Sequence, residues 1–219
     1  VDIESASKVI EAGIKNNEPF TEPIKKIYPR EPEKVAKPYV EKAMAIASPM
    51  FMMGFKDNDV NLSGNELLKK DIEIRILMRM LFAKGSDIYK KLYNESLINS
   101  TFSLDYTFQP DYGFTSLDGE SKDPKAVAEA IKAEVTRLKT EGIDKKLFSA
   151  IRCGMYGNAI RLFDSVDGIA MQLVDCAMNG SNLFDELKYL KSITKEDVER
   201  RLELLDCENT VLSVINPME

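Results

Sequence analysis

Thr101-Phe102-Ser103-Leu104-Asp105-Tyr106-Thr107-Phe108-Gln109-Pro110-Asp111-Tyr112-Gly113-Phe114-Thr115-Ser116-Leu117 is the stretch on which the fold turns. Phe102, Leu104, Tyr106 and Phe108 alternate with Thr101, Ser103, Asp105 and Thr107. Extended backbone points successive side chains to opposite faces, so this alternation predicts a strand with one apolar and one polar face. Pro110-Asp111 supplies a turn, and the run from Tyr112 to Leu117 reads as the antiparallel partner. A hairpin is therefore expected in the middle of the chain.

Upstream, Leu62 to Ala83 is apolar-rich. Ile72-Glu73-Ile74-Arg75-Ile76 alternates like a strand, but the long run without a turn signal favours helix. On a helix, Leu68, Ile72, Ile76 and Met80 form one stripe with Leu77 and Leu81 beside it, which predicts burial on both flanks. Gly85-Ser86 ends it and Asp87 to Tyr93 forms a short second helix. Val35 to Ala47 and Met50 to Lys56 read as two strands split by Ser48-Pro49.

Downstream the pattern is helical. Asp123-Pro124 gives an N-cap with proline at the first helical position, and Gly142 stops that helix. Asp144 caps the next, with Phe148, Ile151 and Met155 inward. Helices follow at 166–178, 182–190 and 194–205, the last opening on Thr194 and Asp197 in capping-box spacing. Thr210 to Ile215 is a closing strand, ended by Asn216-Pro217. Strands and helices in this order predict an α+β fold, an antiparallel-rich sheet covered on one face by helices, rather than an alternating βαβ fold.

Residues 3 to 15 read as a short amphipathic helix, followed by Pro19, Pro23, Pro29, Pro32 and Pro38. Proline removes donors and blocks helix, so this is an extended connector. A lone helix of that length is marginal in water and must pack on something. Residues 1–34 are accordingly expected to be the tail helix of a missing preceding domain plus its connector, with 35–219 the folded domain; an N-terminal arm folded back on the same domain is the alternative. A chain that begins at Val1 rather than Met is expected to be processed or excised.

The 219 residues carry 30 basic and 36 acidic side chains, three cysteines, and neither histidine nor tryptophan. Without imidazole there is no His-dependent triad, no imidazole zinc site and no histidine proton shuttle. A pI near 5.0 argues against nucleic acid as the main partner. Lys25, Lys26, Arg30, Lys34 and Lys37 are broken by acids and prolines and read as a solvated linker. No apolar run approaches the ~18 residues of a membrane span. Cys153, Cys176 and Cys207 are widely spaced, which suits a reducing, cytoplasmic setting and predicts small buried apolar residues.

Gly-x-Gly-x-x-Gly, P-loop and Gly-x-Ser-x-Gly motifs are all missing. Asp57, Asp59 and Asn61 suggest a calcium loop, but its twelfth position is Leu68 where a bidentate Glu is required. Glu196 and Glu199 read as solvated helix surface. Met50, Met52 and Met53, with Met78 and Met80, read as adaptable core.

The assembled order nonetheless resembles a family. Pro49-Met50-Phe51-Met52-Met53-Gly54-Phe55-Lys56 precedes the long helix. Then come Gly85-Ser86-Asp87-Ile88-Tyr89-Lys90-Lys91-Leu92-Tyr93-Asn94-Glu95-Ser96-Leu97-Ile98 and the hairpin. Gly142-Ile143-Asp144-Lys145-Lys146-Leu147-Phe148, Leu183-Phe184, Ile193-Thr194-Lys195-Glu196-Asp197-Val198 and Ser213-Val214-Ile215-Asn216-Pro217 complete the series. From about Pro29 to Pro217 this resembles the C-terminal, non-zinc-binding half of bacterial peptidases of the pitrilysin/insulinase (inverzincin) family.

The resemblance implies a half-domain of the pitrilysin/mitochondrial-processing-peptidase type. Two such halves, joined by a connector, close around a peptide, with zinc held by H-x-x-E-H in the first half and no cofactor in this one. The implied partners are that zinc-bearing half of the same parent chain, a peptide substrate, and a like or homologous chain as a dimer mate. Many members also supply from this half an Arg and, seven residues later, a Tyr that polarise the scissile carbonyl. Aligned from the helix end those positions are Tyr93 and Ser100; aligned on Ser96-Leu97 they are Leu92 and Asn99. The pair is missing in either register, which leaves Tyr93, Asn99 and Ser100 as the candidate substrate-binding residues and no catalytic or metal-binding residue. The expected function is thus a non-catalytic domain closing a zinc peptidase's chamber. The alternative is an interaction or scaffold domain in a parent without proteolytic activity.

Overall fold

A computed structural model describes residues 2–15, 31–109 and 111–218. The chain divides into two units, Val1–Arg30 and Glu31–Glu219. In the first, α1 (Ile3–Ile14) is capped by Asp2, whose carboxylate accepts from Ser5 N–H at 2.8 Å. Its apolar residues Ile3, Val9, Ile10 and Ile14 are all exposed. Of the expected connector, residues 16–30, with Lys25, Lys26 and Arg30, fall outside the described residues, whereas Lys34 and Lys37 are exposed.

The second unit is built on a five-stranded sheet of order β1-β5-β2-β4-β3. Its strands are β1 (Tyr39–Met44), β2 (Met50–Asp57), β3 (Ser103–Phe108), β4 (Gly113–Glu120) and β5 (Thr210–Pro217). All neighbours run antiparallel except β1 and β5. β1 is shorter than the expected Val35-to-Ala47 strand, because only Tyr39 to Met44 find partners on β5. β5 extends through Pro217, opposite Met44, because its pairing with β2 has already ended at Ile215 and the proline surrenders no donor that the sheet needs.

Helices α2 (Gly64–Phe82), α3 (Asp87–Asn94), α4 (Pro124–Glu141), α5 (Lys145–Arg161), α6 (Val166–Asn179), α7 (Asp185–Ser192) and α8 (Lys195–Arg200) supply the second layer. The expected caps are in place. Asp123 accepts from Ala126 N–H at 3.0 Å, Asp144 from Leu147 N–H at 2.6 Å, and Thr194 with Asp197 closes a reciprocal capping box. The predicted 194–205 helix instead tightens into a 3-10 turn over Arg201–Leu204. Such tightening gives the last carbonyls of a helix new donors.

Glu199 is not simple helix surface. Its carboxylate accepts from Ile143 N–H at 2.9 Å and pairs with Lys195. Gly142 makes room for it with φ +77°, since a Cβ there would lie 2.6 Å from Glu199 Oε1.

The core lies between the sheet and the helices. Phe51, Met53, Phe55, Leu117 and Tyr106 meet Ile72, Ile76, Leu77, Leu81, Val127, Ile131 and Val198. α2 is buried on both flanks, as its stripe predicted. Of the cysteines only Cys176 is buried; Cys153 is exposed on α5, contrary to the expectation of burial.

Asp71 on α2 is largely enclosed. Burial pushes its pKa up to about 6; Arg75, 2.6 Å away, opposes the rise, and Glu186 and Asp105 add to it. The folded state therefore keeps a proton that the unfolded chain releases in the ordinary carboxylate range. Stability from this group should fall as pH rises from about 4 to 6. Thermal melts across that window should show the decline, and Asp71→Asn should flatten it; an unchanged slope would refute the assignment.

Candidate substrate-facing site

The register of β2 with β4 and β5 decides what the sheet shows to each side. Phe51, Met53, Phe55 and Asp57 turn toward the helices, so Met50, Met52, Gly54 and Lys56 turn away. Phe114, Ser116 and Asp118 on β4, and Val211, Ser213 and Ile215 on β5, share that second face. Met50, Met52 and Phe114 are exposed there, as are Val40 and Met44 of β1. This corrects the reading of Met50 and Met52 as core, since both side chains are exposed on the sheet face that the helices of the second unit leave open. An uncovered sheet face is ordinarily polar, and an apolar one marks a binding surface. The signal was present in Met50-Phe51-Met52-Met53, apolar at both parities in a strand that helices cover on one side only.

The residues singled out from the sequence lie at one end of this sheet. α3 ends at Asn94, and Ser96 takes a positive φ of 53°. Leu97 and Ile98 N–H then both return to the Leu92 carbonyl, which turns the chain toward β3. An open depression of about 380 Å³ forms there, lined by Tyr93, Ser96, Asn99, Glu120, Lys122 and Pro49 among others. It brings Tyr93 and Asn99 together; Ser100 is exposed outside its lining.

Their chemistry differs. Asn99 is committed to the loop: its Nδ2 donates to Glu120 at 2.8 Å and its Oδ1 accepts from Thr101 N–H and Oγ1. The Tyr93 ring stacks on Tyr89 at 5.9 Å, which holds it in place while leaving it half exposed. Among the described residues nothing is hydrogen-bonded to the Tyr93 hydroxyl, so it is available as a donor. Lys122 Nζ is tied to the Glu95 carbonyl at 3.2 Å.

Among the described residues no group of three or more Cys, Asp or Glu is placed to hold an ion, and the sequence offers no imidazole. Asp57 and Asp59, the rejected calcium-loop residues, are instead engaged by Lys70 and Arg201.

The second unit is thus a two-layer α+β domain whose helices cover one face of its five-stranded sheet. The chain belongs to the Peptidase M16 inactive domain family, whose model matches residues 1–154. It is 30% identical over 187 residues to the uncharacterized zinc protease YmfH of Bacillus subtilis (strain 168), covering 84% of this chain and 44% of that protein. A proposed M16-like peptidase from Alicyclobacillus acidocaldarius superposes over all of this chain and 52% of its own, with TM-score 0.89 and 25% identity. A Helicobacter pylori protease shares the fold at TM-score 0.76 and 16% identity, over 99% of this chain and 53% of its own. The chain thus spans about half the length of these three relatives. Among the described residues no helix is long and apolar enough to cross a membrane.

Proposed function

We propose that the chain is the C-terminal half of a two-domain zinc peptidase, closing the chamber and holding peptide over zinc bound by the other half. The observation that carries this reading is the group of exposed apolar residues on the open sheet face, Val40, Met44, Met50, Met52 and Phe114, on a chain about half the length of YmfH and the Alicyclobacillus peptidase. α1, with its exposed apolar residues, is the last helix of the missing half, and the segment after it is the connector. The setting is the reducing cytoplasm, on the strength of three unpaired cysteines. Zinc would supply the activated water in the other half; this chain's residues enclose and orient the peptide.

Tyr93 is the residue here suited to meet the peptide carbonyl, because its hydroxyl can donate and its ring is held by Tyr89. Asn99 lines the same depression, and the exposed Ser100 next to it in sequence is the third candidate contact. A single neutral hydrogen bond is worth about 1 kcal/mol, so Tyr93→Phe should slow cleavage about fivefold without changing stability.

The test is reconstitution. The parent's first half and this chain, prepared separately, should cleave an unfolded peptide only when mixed. Cleavage by this chain alone, stoichiometric zinc in it, or full activity of the first half without it would overturn the proposal. A second reading, an interaction or scaffold domain within a parent or dimer that has lost proteolysis, is favoured by the uncharged residues where the family's Arg would stand. A well-folded complex that binds peptide and cleaves none would select it.

A further inference from the structure

The open sheet face is not uniformly flat. Gly54 contributes no side chain, and Ser116 across the β4 pairing and Ser213 on β5 contribute small ones. Larger side chains surround them, among them Met52, Tyr112, Phe114, Val211 and Val35. The result is a cavity of about 460 Å³, within the range of small-ligand pockets.

Its rim is built rather than incidental. Val35 N–H donates to Asn209 Oδ1 at 2.9 Å, and Asn209 Nδ2 donates to the Glu33 carbonyl at 2.8 Å. The segment so pinned brings Glu31 to Lys56, with 3.0 Å between their charged atoms. These two are the only charged residues lining the cavity among those described, and they neutralise each other. A charged occupant would give up hydration and find no counter-charge. An apolar one would bury its surface against Met52, whose unbranched side chain adapts to different shapes.

We propose that this cavity is a subsite for one large uncharged apolar side chain, of the Phe, Leu or Met class, carried by an extended peptide. The proposal rests on the reading of the chain as the peptide-enclosing half and adds what that half selects. The subsite discriminates by size and charge rather than by hydrogen-bonded readout, so it accepts many sequences sharing an apolar residue at one position.

The test uses the 219-residue chain with 13C-methyl methionine, the Met52 signal being assigned by its loss in Met52→Leu. The probes are acetyl-Ala-Ser-Ala-Phe-Ala-Ser-Ala-amide and the same peptide with Asp in place of Phe. The Phe peptide should shift the Met52 methyl, and the Asp peptide should bind at least tenfold more weakly. Ser213→Leu, which fills the cavity from β5, should weaken the Phe peptide at least tenfold while leaving the melting temperature unchanged. Equal binding of the two peptides would overturn the subsite. So would Phe-peptide binding that Ser213→Leu leaves untouched, although the peptide-enclosing reading would then survive. No shift of any methyl by either peptide at millimolar concentration would bring down both.

Discussion

Lys70→Met should destabilise the domain by about 3–5 kcal/mol, the cost of leaving a buried charge without its partner. Lys70 is 2% exposed and Asp57 4%. Lys70 Nζ lies 2.8 Å from Asp57 Oδ2 and 3.4 Å from Asp59 Oδ2, and it also donates to the Asp59 carbonyl. The Tyr106 hydroxyl completes the first carboxylate, donating to Asp57 Oδ2 at 2.7 Å. Burial and the neighbouring Asp57 raise the Tyr106 pKa, so the phenol remains a donor. Arg201 links Asp59 to Glu73, itself buried, and Tyr189 donates to the same Glu73. Methionine approximates the lysine stem but removes the cation, and the buried Asp57 carboxylate then keeps only two neutral donors, the Tyr106 hydroxyl and the Asp59 N–H, with no counter-charge of its own. Urea unfolding measures the loss. Adding Asp57→Leu to Lys70→Met should recover much of it, because removing both charges lifts the desolvation cost that removing one exposes. A loss below about 1 kcal/mol for Lys70→Met alone would mean that the pair is solvated or replaceable.

This network was the least legible part of the fold. Helix ends could be read because a cap is local: Asp123, Asp144 and Thr194 each act within three residues of themselves. The hairpin could be read because alternation is local too. Glu73 meets Tyr189 and Arg201 across 116 and 128 residues, and Arg201 reaches Asp59 across 142. No spacing rule encodes such pairs, and buried charges are rare enough that an acid on a helix is by default read as surface. Asp57 and Asp59 drew attention only as a failed calcium loop, although strand parity puts Asp57 on the core side with Phe51, Met53 and Phe55. The candidate site divides in the same way. Tyr93 and Asn99 came from the family resemblance, and the sequence alone marks neither. The 3-10 turn that ends at Leu204 interrupts a helical period that continues to Leu205.

Met53→Ala should cost about 2–5 kcal/mol and Met52→Ala about 0.5 kcal/mol or less, although the two residues are adjacent and identical. The difference is pleat. Met53 is 1% exposed and packed in the core between sheet and helices, so truncation leaves a cavity that close-packed neighbours cannot fill. Met52 is 51% exposed on the uncovered face, and its truncation leaves no sealed void. Denaturant unfolding of the two variants would decide this, and comparable losses would mean that the outer face is covered in the chain as it stands. Peptide binding should rank them the other way. Met52→Ala removes a wall of the cavity and should weaken the Phe-bearing peptide, whereas Met53→Ala, measured where it remains folded, should bind it as tightly as the parent sequence does. If one methionine serves only stability and its neighbour only the ligand, the apolar run in β2 reflects two requirements at alternate positions. A strand that needed only a core would have no reason to keep Met50 and Met52 apolar, since polar residues there would solvate the sheet at no cost to packing.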